Sequence, residues 1–127
     1  MNSAIGIDIV EIKRLEKASK KWGKSFLNKV YTKRELSYSR SKRFPYQHLA
    51  ARFAAKEAIF KALGEVETDF VGWKNVEILN DSTGKPAVHW HGAAEISRKK
   101  RKIRNVVISL SHTENYAVAS ALLVYQR

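Results

Sequence analysis

Asp8 is a carboxylate set inside the apolar run Ile5-Gly6-Ile7-Asp8-Ile9-Val10. A charge in such a setting is costly unless it is paired or bound to a metal. Glu57 and Lys61 are four residues apart, so on a helix they share one face, with Lys56 and Arg52 close by. That spacing serves either an exposed salt bridge or a carboxylate for a hard cation beside a lysine that meets phosphate oxygens. Magnesium takes oxygen ligands and keeps several waters, so one or two carboxylates and a substrate phosphate suffice. Asp8 has two readings as well. It is the second carboxylate of such a site, or it lies near a strand end and caps the helix that follows. Spacing leaves both open.

Ser111-His112-Thr113 follows an apolar run and offers two hydroxyls and an imidazole, all able to hydrogen-bond a phosphate, although a lone histidine in a turn is commonly a surface residue. His89 and His91 would point the same way from one strand, as a metal pair does, but surface exposure is the favoured reading, with Trp90 turned inward. The run Ser97-Arg98-Lys99-Lys100-Arg101-Lys102-Ile103-Arg104 has the charge of a nucleic-acid patch. It lacks nearby aromatic residues for base stacking, and a solvated helix end is the plainer reading.

These residues need elements to position them. The alternation of Ile5, Ile7 and Ile9 with Gly6, Asp8 and Val10 predicts a strand over Ala4 to Val10, with Asp8 on the face opposite the isoleucines. Ile12, Leu15, Ser19, Trp22 and Phe26 recur at three- and four-residue steps, which predicts an amphipathic helix with a basic outer face. Thr32 and Glu35 have the spacing of a capping box, so a short helix begins at Lys33, with Pro45 beyond its end. The alanine-rich segment Leu49 to Leu63 predicts a helix closed by Gly64. Val76 to Leu79 and Ala87 to Trp90 flank a turn-rich segment and predict a hairpin. Gly92 to Lys102 reads as a short basic helix, and Val106 to Leu110 and Tyr116 to Val124 as two strands.

The length of 127 residues and the 44% hydrophobic content fit one domain, 1–127, with a true core. Twenty-four Lys and Arg against 12 Asp and Glu give a net charge of +12, which attracts polyanions: nucleic acid, anionic membrane, phosphorylated ligands or acidic proteins. The absence of cysteine excludes disulfides, thiolate zinc sites and thiol nucleophiles, and fits a reducing cytoplasm. The N-terminal MNSAIGIDIV does not read as a signal peptide, and the longest apolar run, Tyr116 to Tyr125, is far shorter than the roughly 20 residues of a spanning helix.

Four segments in order resemble the phosphopantetheinyl transferase superfamily, in particular its short holo-acyl-carrier-protein synthase branch, over nearly the whole chain. Gly6-Ile7-Asp8-Ile9-Val10 is similar to the family's N-terminal metal-binding motif. Arg52 to Gly64, RFAAKEAIFKALG, is similar to its long central motif, and this match is the most specific. Gly84-Lys85-Pro86 and Ser109-Leu110-Ser111-His112-Thr113 resemble the other two. The resemblance implies an α+β fold in which a small antiparallel sheet packs with helices. It implies Mg2+-dependent transfer of 4′-phosphopantetheine from coenzyme A to a serine of apo acyl carrier protein, releasing adenosine 3′,5′-bisphosphate, in fatty-acid biosynthesis or related secondary metabolism. Asp8 and Glu57 would hold the metal, and Lys61 would contact the phosphates and assist the leaving group. Arg52, Gly84, Lys85, Ser111, His112 and Thr113 would serve the coenzyme A site. The acidic carrier would meet Arg14, Lys17, Lys20, Lys21 and Lys24, and a homotrimer would place each active site between neighbours. Nucleic acid and membrane are not expected partners. Two departures stand out: the loop Glu65 to Trp73 is not glycine-rich, and Arg98 to Arg104 is unusually basic.

Overall fold

The structure, a computed structural model, describes residues 2–64 and 72–126. The order is β1 (Ser3–Glu11), α1 (Ile12–Val30), α2 (Lys33–Arg40), α3 (Pro45–Leu63), β2 (Val76–Asn80), β3 (Pro86–Trp90), α4 (Gly92–Lys100), β4 (Ile103–His112) and β5 (Tyr116–Tyr125). Two antiparallel sheets form: β1-β5-β4, and the hairpin β2-β3. This is the expected α+β class. The loop Glu65 to Trp73 falls mostly outside the described residues, since 65–71 are not among them.

Helix α3 lies against the inner face of the larger sheet, and small residues on both sides allow it. Ala54, Ala55, Ala58 and Ala62 on the helix and Ala117, Ala119 and Ala121 on β5 are all buried. Gly6 on β1 is the tightest point, because a Cβ there would run into the backbone carbonyl of Ala58. Most of α3 is buried, so its apolar residues do not form a single stripe, as befits a helix covered on several sides. The helix starts at Pro45, four residues before the predicted Leu49. Pro45 therefore opens α3, where its missing N–H costs nothing. Gly64 ends it in the left-handed region at φ 71°, as expected.

The capping box forms as read: Thr32 Oγ1 accepts from Glu35 N, and Glu35 Oε1 accepts from Thr32 N. Glu35 does more than cap. It is fully buried and receives the Lys56 ammonium at 2.9 Å, while its other oxygen accepts from Ile78 N at 2.9 Å. Lys56, equally buried, also donates to the carbonyls of Trp73 and Val76, so this pair bolts α2, α3 and β2 together.

Two expectations need correction. Helix α1 is broken at Gly23 (φ 60°, ψ −140°), a conformation that favours glycine, and Trp22 at the break is 60% exposed instead of facing the core. The basic run is only partly a solvated helix end. Arg98 pairs with Glu95 and donates to the Ile103 carbonyl, and Arg101 donates to the Leu63 carbonyl at the end of α3. Burial along β1 also distributes in an unusual way. Ile5, Ile7 and Ile9 are 74, 63 and 64% exposed, whereas Gly6 is buried and Asp8 and Val10 are half-buried on the helix side. No helix among the described residues is long and apolar enough to cross a membrane.

Candidate active site

The closeness that Gly6 permits brings Asp8 against the last turns of α3. Lys61 Nζ donates to Asp8 Oδ1 at 2.9 Å and to the Ile7 carbonyl at 3.1 Å. The helix partner of Lys61 in sequence, Glu57, is thus not its ion-pair partner in space, and the simple i, i+4 surface bridge is not what forms. Nor does Asp8 cap α1, whose N-cap is Glu11 with no side-chain cap bond. Glu57 sits beside Asp8 in a cleft of about 450 Å³ whose walls include Val10, Arg14, Leu15, Phe26 and Phe53. Burial, and then the neighbouring charge of Asp8, push the Glu57 carboxyl above its ordinary value, with Lys61 pulling it back. The hydrogen bond it donates to Asp8 and the charges of both carboxylates hold the Lys61 ammonium above its usual value.

Two adjacent carboxylates in one cleft, with the charge of Asp8 acting against that of Glu57, are a donor set for a hard cation. Among the described residues no third Asp, Glu, His or Cys joins them. Two carboxylates fit magnesium, which draws its remaining ligands from water and phosphate.

A second cleft, of about 350 Å³, gathers Lys85, Ser111 and His112 with Tyr38, His48 and Arg52. It shares no residue with the carboxylate cleft. Ser111 and His112 are the last residues of β4 and not part of the turn, so the strand fixes their direction. Arg52 borders this cleft from below: it is buried, donates to the Ile78 carbonyl at 3.1 Å and to Asn80 Oδ1 at 3.2 Å, and lies 4.2 Å from the Tyr38 ring centre. Burial lowers its pKa from the usual arginine value. Thr113 faces an adjoining cleft of about 840 Å³ with His112, Arg43 and Phe44, and its hydroxyl accepts from the amides of Asn115 and Tyr116. Gly84 lines neither; at φ 86° it shapes the turn that presents Lys85.

Along α1, Arg14, Lys17, Lys20, Lys21 and Lys24 are exposed, and Arg14 reaches the wall of the carboxylate cleft. The sequence reading passed over Phe26, Phe53, Tyr38 and His48. Phe26 was assigned only to a helix face and Phe53 only to a motif, and aromatic residues carry no sign in sequence of which cleft they will line.

The fold and the two clefts define an α+β protein with an oxygen-donor pair beside a lysine and a separate cation-rich pocket. The family model described as the 4′-phosphopantetheinyl transferase superfamily matches residues 4–121. A holo-[acyl-carrier-protein] synthase of Protochlamydia amoebophila is 43% identical over 122 residues, 96% of this chain and 98% of that protein. The crystal structure of the synthase from Neisseria meningitidis superposes with a TM-score of 0.86 at 34% identity, over 94% of this chain and 96% of that one. An ACPS–CoA complex of Chronobacterium ammoniagenes gives 0.85 at 30% identity over the whole of both chains. The chain belongs to the 4′-phosphopantetheinyl transferase superfamily, in its holo-[acyl-carrier-protein] synthase branch. It is a transferase of that branch, and its activity is holo-acyl-carrier-protein synthesis.

Proposed function

We propose that the chain, working as one domain, transfers the 4′-phosphopantetheinyl group of coenzyme A to a serine of an acidic acyl carrier protein with Mg2+, releasing adenosine 3′,5′-bisphosphate. The observation that carries this is the meeting of Asp8, Glu57 and Lys61 at the β1–α3 contact, with Lys61 Nζ 2.9 Å from Asp8. Asp8 and Glu57 would hold the metal, which when bound neutralises phosphate charge and polarises the phosphorus centre. Glu57, whose raised pKa suits a proton acceptor, takes the serine proton directly or through a water. The serine oxygen forms a bond to the β-phosphorus as the bond to the bisphosphate breaks, and Lys61 offsets the charge that collects on the leaving group. Lys85, Ser111, His112 and Thr113, with Gly84 shaping the turn, hold the nucleotide end, and Arg52 adds charge behind them. The test is direct: incubate apo carrier protein, coenzyme A, Mg2+ and the chain, then measure the intact mass of the carrier. A phosphopantetheine gain supports the reading, and no gain with a competent carrier refutes it.

Arg14 lines the same cleft, and the other cations of α1 are exposed along the helix that forms part of its wall, which suits an acidic carrier whose serine must reach Glu57. Replacing Arg14 and Lys21 by Glu is expected to lower carrier kcat/KM about ten- to a hundredfold at low salt by removing steering, with coenzyme A affinity nearly unchanged. Equal carrier kinetics for variant and wild type at low salt would discard this surface. A reducing cytoplasm, suggested by the absence of cysteine, is the fitting compartment.

A homotrimer is supported by two features. The outer face of the larger sheet is apolar and open: Ile5 pairs across to Leu122 and that to Val107, and these are 74, 39 and 44% exposed. The carboxylates and the cationic cleft lie apart in one chain, and neighbouring copies packed on the isoleucine face would bring the carboxylates of one to the cationic cleft of the next. Ile7→Glu with Ile9→Glu is expected to give monomers by sedimentation and to remove transfer. A fully active monomer would sink this assembly.

A further inference from the structure

The cleft holding Lys85, Ser111 and His112 contains an imidazole that the reading above leaves without a task. His48, on the first turn of α3, is half-buried and meets the Tyr38 ring edge-on at 5.7 Å between centres. Tyr38 organises the surroundings: the Arg52 guanidinium lies 4.2 Å and the Lys42 ammonium 4.7 Å from its ring centre. No Asp or Glu lines the cleft. The nearby Asp81 is engaged in its own turn, accepting from the amides of Thr83 and Lys85 and from the Thr83 hydroxyl. Among the described residues, the rings of His48 and His112 and the Lys85 ammonium make no hydrogen bond or ion pair. Donors of one sign therefore converge on a space without an internal anion.

We propose that His48 is a further ligand-contacting residue, which grips a phosphate group of the nucleotide together with His112 and Lys85 and takes up a proton as that phosphate arrives. The inference rests on assigning this cleft to the nucleotide end of coenzyme A. Its physical basis is the reversal of field on binding. Within the protein alone, burial first, and then Arg52, Lys42 and His112, lower the His48 pKa from its ordinary value, so the uncharged ring prevails near neutrality. A phosphate dianion between these groups favours the charged ring and raises that pKa. The sign follows from linkage. Binding takes up a proton, so affinity rises as pH falls through the interval between the bound and free pKa values, and levels off below the free one.

The facing groups are Lys42 before α3, Arg52 on α3, Tyr38 on α2, Lys85 before β3 and His112 at the end of β4. Glu16 and Glu114 border only the adjoining cleft on the other side of His112. Protonation of the phosphate itself near pH ~6 opposes the effect, and it is common to wild type and variant.

Titration calorimetry with adenosine 3′,5′-bisphosphate, from about pH 8 to pH 6, tests this in wild type and His48→Gln. The wild-type Kd is expected to tighten about five- to tenfold more than that of the variant, the equivalent of close to one pKa unit. In unmodified protein, the His48 imidazole followed by NMR should titrate higher when bisphosphate saturates the site, which requires no variant to fold. Equal pH slopes in wild type and variant, or an unmoved His48 titration, overturn the role of His48 while leaving the cleft assignment intact. Failure of wild type to bind bisphosphate at any pH overturns that assignment, and the proposal with it.

Discussion

Asp8→Ala and Glu57→Ala are each expected to lower transfer to the carrier by about a thousandfold or more while leaving the chain folded. Removing one preorganised electrostatic element from an active site typically costs about 10²–10³ in rate, and in the proposed reaction each carboxylate would have two tasks, charge placement for Mg2+ and either proton transfer or alignment of Lys61. The small structural penalty has an equally specific cause. The Asp8–Lys61 pair has a lysine side chain that is 54% exposed, so its net worth to folding is at most about 1 kcal/mol. Glu57 has no ion-pair partner among the described residues and is already disfavoured as an anion by burial and by Asp8. Intact-mass measurement of the carrier gives the rate and a thermal melt gives the fold. Transfer within tenfold of wild type in both variants would remove these carboxylates from the mechanism. Lys61→Ala offers a graded control. It should reduce transfer while relieving Asp8 of its partner, and so separate leaving-group assistance from metal placement.

The largest effect on stability should come from Glu35→Leu or Lys56→Met. Both groups are fully inaccessible to solvent and lie 2.9 Å apart, and the remaining hydrogen-bonding capacity of each is met by backbone from Thr32, Ile78, Trp73 and Val76. Burial drives the Lys56 pKa down and Glu35 restrains that fall. Loss of either partner leaves an uncompensated charge in the interior, with an expected cost of about 3–5 kcal/mol. The double variant should recover much of this loss, because the penalty lies in the orphaned charge more than in any large net gain from the pair. Urea unfolding of the two single variants and the double decides the matter. Single variants within about 1 kcal/mol of wild type, or a double variant that sums the two losses, would show that the network does not act as a unit.

Legibility differed from element to element. The capping box at Thr32 and Glu35, the strand read over Ala4 to Val10 (Ser3–Glu11 in the structure) and the end of α3 at Gly64 were readable because each depends on a few neighbouring residues with fixed spacing. The start of α3 was missed by four residues, since Pro45 reads as a stop until it is seen to open the next helix. The break in α1 was missed because the apolar steps run straight through Gly23, and only its backbone angles reveal the turn. Among the candidate site residues, Asp8, Glu57 and Lys61 were nominated by type, spacing and resemblance, and the fold brings them to one place. Their partners were not: Lys61 had been paired in sequence with Glu57, but the strand–helix contact gives it to Asp8. Tyr38 and His48 carried no local pattern at all. Their relation to His112 depends on α2, α3 and β4 meeting.

The sequence by itself determined the class of fold and the family, and it nominated two carboxylates and a lysine for the proposed site, because periodicity, capping and motif order are local or linear properties. Only the tertiary structure decided which charges meet. Gly6 lets β1 lie close enough to α3 for Asp8 to reach Lys61, burial and the nearby charge of Asp8 push the Glu57 carboxyl up, and the exposed isoleucines leave the opposite face of the same strand open. Those outcomes depend on distances of a few ångströms between segments about fifty residues apart, and linear spacing carries no measure of them.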